Sequence, residues 1–574
     1  MPSIAAYPVL NFSGGIVRNK GLLEMQKNEL LDARNIEIDE QGRLKVRRGS
    51  QQMGQTLSGG LENSFVFIRN DTSSTPTSQL RFLVNNNATT GVISLLSGGN
   101  RVTTAISVGD TSITLNSSTS FAASGTVEIE GDLIAYTSKS SATTLDGVTG
   151  ITSAHAIGVA VHQWTTLTQS GTAVDGRAGI TYAVLNNICF FAGRGANIKQ
   201  YDGTTVTDVS SEPAVIMLET YRDKLFGVGD GSSGTNGDPR RVSFSNNGDG
   251  TTWTTGADFF DVEDSRGEFI VGIKNYKDRL GIFKLNSIFS YDEVELKKRI
   301  DGVGAFSHKN VQEVNGLLYT FCPSGIFETN LFESRNIGLP VREYWENFHP
   351  EYDTTFARVV TNTFSGKFKD LYILYIHDIE NPTSLTDVTL VFDTVKRNWT
   401  TFQGAFTDFL HFGSFGNIDF GDTVLTSIPS LFGGNASSSY YRFFENKYLD
   451  GLSTQVLRGG DIFQDSVSDT GTVVSGMAET PLYDLTHPSL YKRFQKLKVY
   501  VERGEWHMEY RIENEDGISD YKTLGTANIK NRVLSFPRET RGWRVGFRLT
   551  SVSTHQTPIF NGFVFMDTLV DSRK

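Results

Sequence analysis

The stretch NNICFFAGRGANIKQYDG, residues 186–203, decides the fold, because its pattern returns along the chain. An apolar strand is followed by a turn and by a strand that ends in Tyr-Asp or an equivalent pair. A close copy is YKDRLGIFKLNSIFSYD (276–292); weaker copies are YRDKLFGVGDG (221–231) with RRVSFSN (240–246), NGLLYTFCPSGIFETN (315–330), and KDLYILYIHD (369–378) with TLVFDTVKRNWT (389–400). A spacing of roughly 40–60 residues is typical of a repeated small antiparallel sheet. Since one such sheet cannot bury both faces, radial stacking into a β-propeller is predicted.

The rest of the 574-residue chain is also predicted to be mostly β, because 39 Phe and 20 Tyr favour strands and 57 Gly supply turns. We predict a propeller of about six blades over 56–100 and 162–446. A small β-barrel or sandwich is expected as an insertion at 101–161, where short alternating strands such as TVEIEG and LIAYTS argue against the alternative of a disordered linker. Alternating strands in the last hundred residues predict a C-terminal β-sandwich platform, provisionally 447–574.

The N-terminal segment, 1–55, differs from the repeats. It contains FSGG at 12–15, a short helical stretch expected near Lys27–Ala33, and a hairpin whose strands alternate Ile36 and Ile38 with Leu44 and Val46. The hairpin ends in Arg47-Arg48, which we expect to be a solvated cationic patch.

Charge and cysteine content restrict the function. A net charge of −11 argues against a protein that wraps nucleic acid, which needs a basic face. It is compatible with a wall past which DNA slides, and equally with an ordinary acidic surface. Cys189 and Cys322 occupy corresponding apolar strands of two repeats and are expected to be buried free thiols. The first residues lack a secretory signal pattern and no run approaches a membrane span, so a soluble protein made in a reducing cytoplasm is expected.

Catalytic motifs are not apparent: the sequence has no Gly-x-Ser-x-Gly elbow, Walker loop, His-Glu-x-x-His or metal-spaced cysteine pair. The carboxylates of Asp261, Glu263 and Asp264 could in principle hydrolyse a glycan, but acidic neighbours are common in a chain with 64 of them. His308, His377 and His411 are expected to be core or surface residues. We expect no enzyme activity, cofactor or metal.

A hairpin turn at SFSNNGDGTTW (243–253) resembles an Asp-box, with Ser245, Asp249, Gly250 and Trp253 near its frame. In that motif the aspartate caps the turn and the tryptophan packs under it, which is a structural role. Calcium binding by NNGDG (246–250) is the alternative, and the run lacks a second acidic anchor.

The N-terminal pattern Phe-x-Gly-Gly, Asn-apolar, Lys-x-Arg-x-Gly, here at 12–15, 35–36 and 45–49, resembles the opening of phage tail nozzle proteins, also called tail tubular protein B or tail hub proteins of short-tailed phages. The Asp-box-like turn, the propeller repeats and the C-terminal KRFQKLKVYVE and RGWRVGFRLTS strands are similar too, and the insertion looks like small domains of virion proteins. The resemblance therefore covers most of the chain.

That resemblance implies a structural virion protein in the phage tail, assembled in the host cytoplasm as a ring, usually a hexamer. Phage DNA leaves through the lumen without sequence-specific binding, an adaptor and head-to-tail connector ring lies above, and fibres, spikes or a needle attach. We expect subunit or adaptor contacts at the N-terminal residues Asn11, Gly14, Gly15, Asn35, Arg47 and Arg48. Two other hypotheses stay open: a propeller adhesin for host glycan, and a depolymerase- or sialidase-like glycan hydrolase.

Overall fold

The structure, a computed structural model, describes residues 4–570 with internal gaps. The residues outside the description between these limits are 53, 58–60, 71–77, 87–91, 131, 175–179, 194, 211–212, 232–236, 255, 347, 349–350, 354–357, 361–362, 377–387, 403–408, 416–429, 436–439, 444–467, 470–471 and 553–557. The predicted position of His377 therefore lies outside the described residues.

The N-terminal segment contributes seven short strands: β1 (Tyr7–Val9), β2 (Gly15–Ile16), β3 (Glu29–Leu30), β4 (Asp32–Arg34), β5 (Ile36–Ile38), β6 (Leu44–Val46) and β7 (Ser50–Gln52). The predicted hairpin is confirmed: Ile36 lies opposite Val46, Ile38 lies opposite Leu44, and all four side chains are buried. The helical stretch expected near Lys27–Ala33 is wrong, since β3 pairs with β2 there and tertiary pairing overrides a weak helix preference.

Blade 1 of the propeller contains the insertion. The strands in this region are β8 (Leu61–Asn70), β9 (Ser78–Asn86), β10 (Ile93–Arg101), β11 (Ser112–Thr114), β12 (Gly125–Ile129), β13 (Asp132–Tyr136), β14 (Ser138–Ser141), β15 (Thr144–Asp146) and β16 (Ala160–Leu167). β8, β9, β10 and β16 form the blade, and the strands between β10 and β16 form the insert. The insert has a hydrophobic cluster of its own, which runs from Val102 to Val161.

Blades 2 to 5 are regular four-stranded meanders with two 3₁₀ helices after blades 4 and 5, His308–Asn310 and Leu339–Tyr344. Their strands are, in order, β17 (Thr181–Leu185), β18 (Ile188–Ala192), β19 (Lys199–Tyr201), β20 (Val206–Asp208); β21 (Val215–Tyr221), β22 (Lys224–Gly229), β23 (Arg241–Phe244), β24 (Phe259–Asp261); β25 (Ile270–Tyr276), β26 (Arg279–Lys284), β27 (Ser287–Tyr291), β28 (Leu296–Asp301); and β29 (Gln312–Val314), β30 (Leu317–Cys322), β31 (Gly325–Thr329), β32 (Ser334–Asn336).

The last two blades close the ring. A hairpin of β33 (Glu351–Asp353) and β34 (Arg358–Val360) precedes blade 6, which is β35 (Thr363–Phe368), β36 (Leu371–Ile376), β37 (Val388–Asp393) and β38 (Asn398–Phe402). Blade 7 has β39 (Phe409–Phe415), β40 (Ser430–Asn435) and β41 (Tyr440–Phe443), and its fourth strand is β7 from the N-terminal segment. β39 contacts both β35 and β8, so blade 7 fills the space between blades 6 and 1. The described residues thus form seven blades, where about six were expected, because the repeat is not recognisable in blade 7.

The C-terminal unit is a two-sheet sandwich that also uses the N-terminal segment. After the short pair β42 (Ser468–Asp469) and β43 (Thr472–Val473), which extends blade 7, its strands are β44 (Met477–Glu479), β45 (Lys492–Arg493), β46 (Lys496–Arg503), β47 (Trp506–Asn514), β48 (Gly517–Ile518), β49 (Lys522–Ala527), β50 (Val533–Ser535), β51 (Arg541–Gly542), β52 (Arg544–Ser551), β53 (Ile559–Met566) and β54 (Leu569–Val570).

One sheet of the sandwich has the order β5-β6-β53-β46-β50, with β1 on β53, and the other runs β4-β44-β52-β47. The rings of Phe547, Phe563 and Phe565 pack together in the core between the sheets. Because β4 also pairs with β38, the second sheet is continuous with blade 6. The N-terminal segment expected as a separate unit therefore supplies strands to the sandwich and to blade 7.

Two kinds of tight turn produce the repeat seen in the sequence. The first two strands of blades 2 to 6 are joined by two-residue turns that include positive φ angles, at which Asn, Asp and Gly are tolerated best. These turns are Asn186-Asn187, Arg222-Asp223, Lys277-Asp278, Asn315-Gly316 and Lys369-Asp370.

The second turn explains the Tyr-Asp ending. After the third strand, a side-chain oxygen of Asp or Asn accepts hydrogen bonds from the backbone N–H groups two and three residues later, which fixes the reversal into the fourth strand. This occurs at Asp202, Asp292, Asn330 and Asp393. In blade 1 the connection at this position is the insert.

Neighbouring blades are tied by tyrosines that end the innermost strands. The Tyr221 hydroxyl of blade 3 donates to the Asp278 carbonyl in the first turn of blade 4, at 2.5 Å. The Tyr276 hydroxyl of blade 4 donates in the same way to the Gly316 carbonyl of blade 5, also at 2.5 Å. The recurring geometry of the turns therefore also sets the spacing between blades.

Replacing Asn330 by Ala should lower the stability of the propeller by about 1–2 kcal/mol, because the backbone N–H groups of Phe332 and Glu333 lose their acceptor. Thermal unfolding followed by circular dichroism measures the change. Asn247→Ala, at an exposed position of the Asp-box turn, is the matched control. Equal melting temperatures for the two variants would contradict the role given to this turn.

Candidate functional site at the junction of propeller and sandwich

The predicted N-terminal site residues mostly converge where blade 6 meets the sandwich. Gly15 has a φ of +62°, and a Cβ there would lie 2.7 Å from the Trp399 carbonyl oxygen, so the close approach of the two backbones requires glycine. The Nδ2 of Asn398 donates to the carbonyl of Ser13 at 3.1 Å. Gly14 is similarly confined, since its Cβ would lie 2.8 Å from Cγ of Glu29.

Asn35 links three parts of the chain. It adopts the left-handed backbone conformation, with a φ of +53°, which Asn tolerates better than other side-chain-bearing residues. Its backbone N–H donates to the Thr401 carbonyl of blade 6 at 2.7 Å, and its Nδ2 donates to the Ser475 carbonyl at the start of the sandwich, at 3.1 Å. Asn35 therefore bonds to the propeller and to the sandwich at once.

Arg47 is enclosed in this junction. Its side chain is fully buried, its Nε donates to Oδ1 of Asn35 at 2.9 Å, and one terminal nitrogen donates to the Arg48 carbonyl at 2.9 Å. The guanidinium carbon lies 5.7 Å from the centre of the Phe402 ring, within cation–π distance. The expectation of a solvated cationic patch is therefore wrong for Arg47, because its guanidinium is buried against groups of its own chain.

The other predicted contact residues lie nearer the surface. Arg48 is half-buried, and Asn11 is exposed with its Oδ1 accepting from the Ser13 N–H at 2.7 Å. Contacts of these two residues with another subunit or an adaptor stay a prediction.

A second tie holds the N-terminal segment to the 3₁₀ helix between blades 5 and 6. Arg18 lies 3.0 Å from the Glu343 carboxylate and 3.4 Å from that of Asp32, and its guanidinium stacks 4.7 Å from the Tyr344 ring centre. Burial, followed by the charge of Asp32, raises the pKa of Tyr344, so the ring stays neutral. Sequence reasoning missed Arg18, Asp32 and the buried Trp399, since no local pattern announces contacts this distant along the chain.

The Asp-box-like turn is built as its motif suggests. Asp249 Oδ1 accepts from the Thr251 N–H at 2.8 Å, and its Oδ2 accepts from the Thr252 hydroxyl at 2.6 Å. The Thr251 hydroxyl also donates to Oδ1 at 2.6 Å, and this hydrogen bond, followed by those just described, lowers the pKa of Asp249 below its ordinary value. The buried Trp253 donates from Nε1 to the Gly250 carbonyl at 3.0 Å, and the Ser245 hydroxyl accepts from the Leu225 N–H at 3.0 Å. The turn packs blade 3 against blade 2.

Two of the three acidic candidates, Asp261 and Asp264, are paired with cations, and the third, Glu263, is exposed. Asp261 makes a two-point ion pair with Arg241, at 2.7 and 2.9 Å. Asp264 is almost fully buried 3.6 Å from Nζ of Lys284. Burial alone would raise the pKa of Asp264, but Lys284 and hydrogen bonds to the carboxylate lower it overall. Lys284 and these hydrogen bonds favour the ionised form of Asp264, whereas glycan hydrolysis needs one protonated carboxyl group.

The cysteine candidates and two of the histidine candidates lie in the propeller. Cys189 and Cys322 are buried free thiols in the second strands of blades 2 and 5, as predicted, and burial raises the pKa of both. Burial lowers the pKa of His308 to about 3, so its imidazole is neutral, and His411 lies in β39. Within the described ranges no three His, Cys, Asp or Glu residues are grouped to hold a metal, and no helix there has the length and apolar character to span a membrane.

Comparisons with known proteins give little. No protein-family model matches the sequence, and no curated protein matches it either. Among solved structures, YCF48 bound to D1 peptide is 7% identical, with a TM-score of 0.28, covering 64% of this chain and 97% of that one. An exo-beta-1,3-galactanase from Phanerochaete chrysosporium with galactose is 9% identical, with a TM-score of 0.23, covering 70% and 98%.

A glycoside hydrolase family 43 arabinoxylan arabinofuranohydrolase from Bacillus subtilis, in complex with cellotetraose, is 11% identical with a TM-score of 0.21, covering 82% of this chain and 96% of that one. Similarity this low carries no argument about activity. The propeller is identified from the strand order of the chain itself.

Arg47→Ala should destabilise the isolated chain by about 2–4 kcal/mol, because a buried side chain, its hydrogen bond to Asn35 and its contact with the Phe402 ring across the junction are lost. Thermal unfolding of the single chain measures this, with Arg48→Ala as the neighbouring control. An unchanged melting temperature together with weaker self-association would contradict this role and support the subunit contact first expected for Arg47.

Gly250→Ala should cost about 1–3 kcal/mol, because the added Cβ would lie 2.6 Å from the Phe190 ring and 2.7 Å from Cδ1 of Leu225. Denaturant unfolding of the variant tests this. Gly21→Ala is the control, since its Cβ would meet nothing closer than 3.9 Å. Equal stability of both variants would show that the turn is not packed between the blades.

Proposed function

We propose that this chain is a structural virion protein, and that identical copies form the ring-shaped nozzle at the distal end of a short bacteriophage tail. In this role it is not an enzyme and needs no cofactor. The ring is assembled in the host cytoplasm, binds the tail adaptor below the head-to-tail connector, and carries fibres, spikes or a needle. Phage DNA passes through its lumen without sequence-specific binding.

The observation that carries the proposal is the clustering of the nozzle-like sequence pattern. The segments FSGG, NIEID and KVRRG are separate in sequence, yet Gly15, Asn35 and Arg47 lie against blade 6 or the start of the sandwich. The pattern thus corresponds to one architectural element, the joint between propeller and platform. Nozzle proteins that assemble into rigid rings are expected to share such a joint even where their binding partners differ.

The charge of the propeller agrees with a conduit. Residues 50–474 contain 30 basic and 46 acidic residues, a net charge of −16. Acidic walls repel the phosphate backbone, and so reduce the tendency of DNA to adhere during passage. The pairing of Asp261 and Asp264 with cations supports a structural role over hydrolysis.

The purified full-length chain should form a ring of about six copies with a central hole. Light scattering gives the mass, and negative-stain images of the same fraction show the shape. A chain that stays monomeric and binds host glycan would overturn the proposal in favour of an adhesin. Loss of polysaccharide viscosity on incubation would instead favour a hydrolase.

A further inference from the structure

The charges of the chain are separated between its two parts. The platform, residues 1–49 and 475–574, contains 23 basic and 18 acidic residues and so has a net charge of +5. The rest of the chain, with its net charge of −16, is oppositely charged. Surfaces of opposite charge on one molecule favour head-to-tail contact between copies over contact between identical faces.

The negative charge has a local maximum in blade 3. Residues 215–269 contain ten acidic and five basic residues, a net charge of −5. The outermost strand of this blade, β24, pairs only with β23 among the described strands, so its other edge is open. Asp258 precedes this strand and the exposed Glu263 follows it, while Phe259 and Phe260 within it are half-buried. We call β24 with its flanking acidic residues the acidic edge.

The platform has a matching open edge. In the described part of the sandwich, β50 pairs only with β46 and ends its sheet. Lys530 and Arg532 are exposed just before this strand, and the apolar side chains of Ile529 and Val533 beside them are 52% and 47% exposed. We call this surface the basic edge. Asp261 within β24 is neutralised by Arg241, so the charge available for a contact at this edge is that of Asp258 and Glu263, opposite in sign to Lys530 and Arg532. β24 and β50 each have three residues.

The two edges belong to separate parts of the molecule, β24 to blade 3 of the propeller and β50 to the platform. The platform joins the propeller by strand pairing at blade 6, and blade 3 is three blades away, which is the greatest separation in a ring of seven. Two complementary surfaces at separate places on one subunit allow each copy to contact two neighbours. This is the arrangement that a closed ring needs.

We propose that the acidic edge of one copy pairs edge to edge with the basic edge of the next copy, so that β24 and β50 lie side by side across the subunit interface. This inference rests on the ring proposed above. The open backbone groups of both strands hydrogen-bond to each other, since an unpaired edge is a template for another strand. The carboxylates of Asp258 and Glu263 meet Lys530 and Arg532, while the Phe260 ring stays stacked on Tyr291 of blade 4 and the Phe259 ring stays against the Arg241 guanidinium.

Charge reversal in the full-length chain tests this contact. The acidic-edge variant carries Asp258→Lys and Glu263→Lys, the basic-edge variant carries Lys530→Glu and Arg532→Glu, and a third chain carries all four. The control, Asp516→Lys with Asp520→Lys, makes the same change in net charge as the acidic-edge variant, at exposed positions of the β47–β48 region. Melting temperatures check that each variant folds, and sedimentation gives the mass.

Each two-residue edge variant should lose assembly, with an apparent dissociation constant raised more than about tenfold. The control should assemble like the unmodified chain. The four-substitution chain, and an equal mixture of the two edge variants, should form rings again, because complementary charges then face each other. Recovery of assembly distinguishes a direct contact from a general effect of charge or folding.

The outcomes separate this inference from the proposed function. Edge variants that assemble like the control would place the interface elsewhere and overturn this contact, while the ring itself would stand. Failure of the four-substitution chain to assemble, with its fold intact, would also overturn it. An unmodified chain that stays monomeric up to about 1 mM, where even millimolar affinity is visible, would contradict both the ring and the contact.

Discussion

The structure depends on the requirement that a strand edge inside the molecule must find a backbone partner. Blade 7 has three strands from its own region of sequence, and β7 completes it from the other end of the chain. Blade 6 would end at β38, but β4 continues its sheet into the sandwich. Two N-terminal strands of three residues each thus remove the two edges at which propeller and platform could otherwise separate.

The pairing of these two edges also determines which contacts the side chains around them can make. Asn35 can bond to Thr401 and Ser475 only because β4 and β5 bring it between blade 6 and the sandwich. Arg47 is then enclosed, with its guanidinium bound to Asn35 and above Phe402. The hydrogen bonds offset the cost of burying that charge, and the pairing of strands supplies the geometry for them.

Local features of the fold could be predicted from the sequence, and long-range features could not. The Tyr-Asp repeat corresponds to turns whose donor and acceptor are three residues apart, so Asp292 and Asn330 indicate them directly. The hairpin of Ile36 to Val46 is equally local. By contrast, nothing around Arg47 in the sequence indicates burial, because its partner Phe402 is supplied by blade 6. The seventh blade could not be predicted for the same reason: its fourth strand, β7, precedes blade 1 in the sequence.

The position of β7 also constrains how the chain reaches this structure. Gln52 pairs with Tyr441, so a strand made early in synthesis has no partner until most of the protein has been translated. At 5–20 residues per second, that delay is about 20–80 s. Blades 2 to 5 can form in order from local contacts meanwhile, but ring closure is a late, long-range step with a large loop-closure cost. During that interval β7 is unpaired in every nascent chain, so on a shared messenger it has the opportunity to pair with the β41 edge of a neighbouring copy whose synthesis is further advanced.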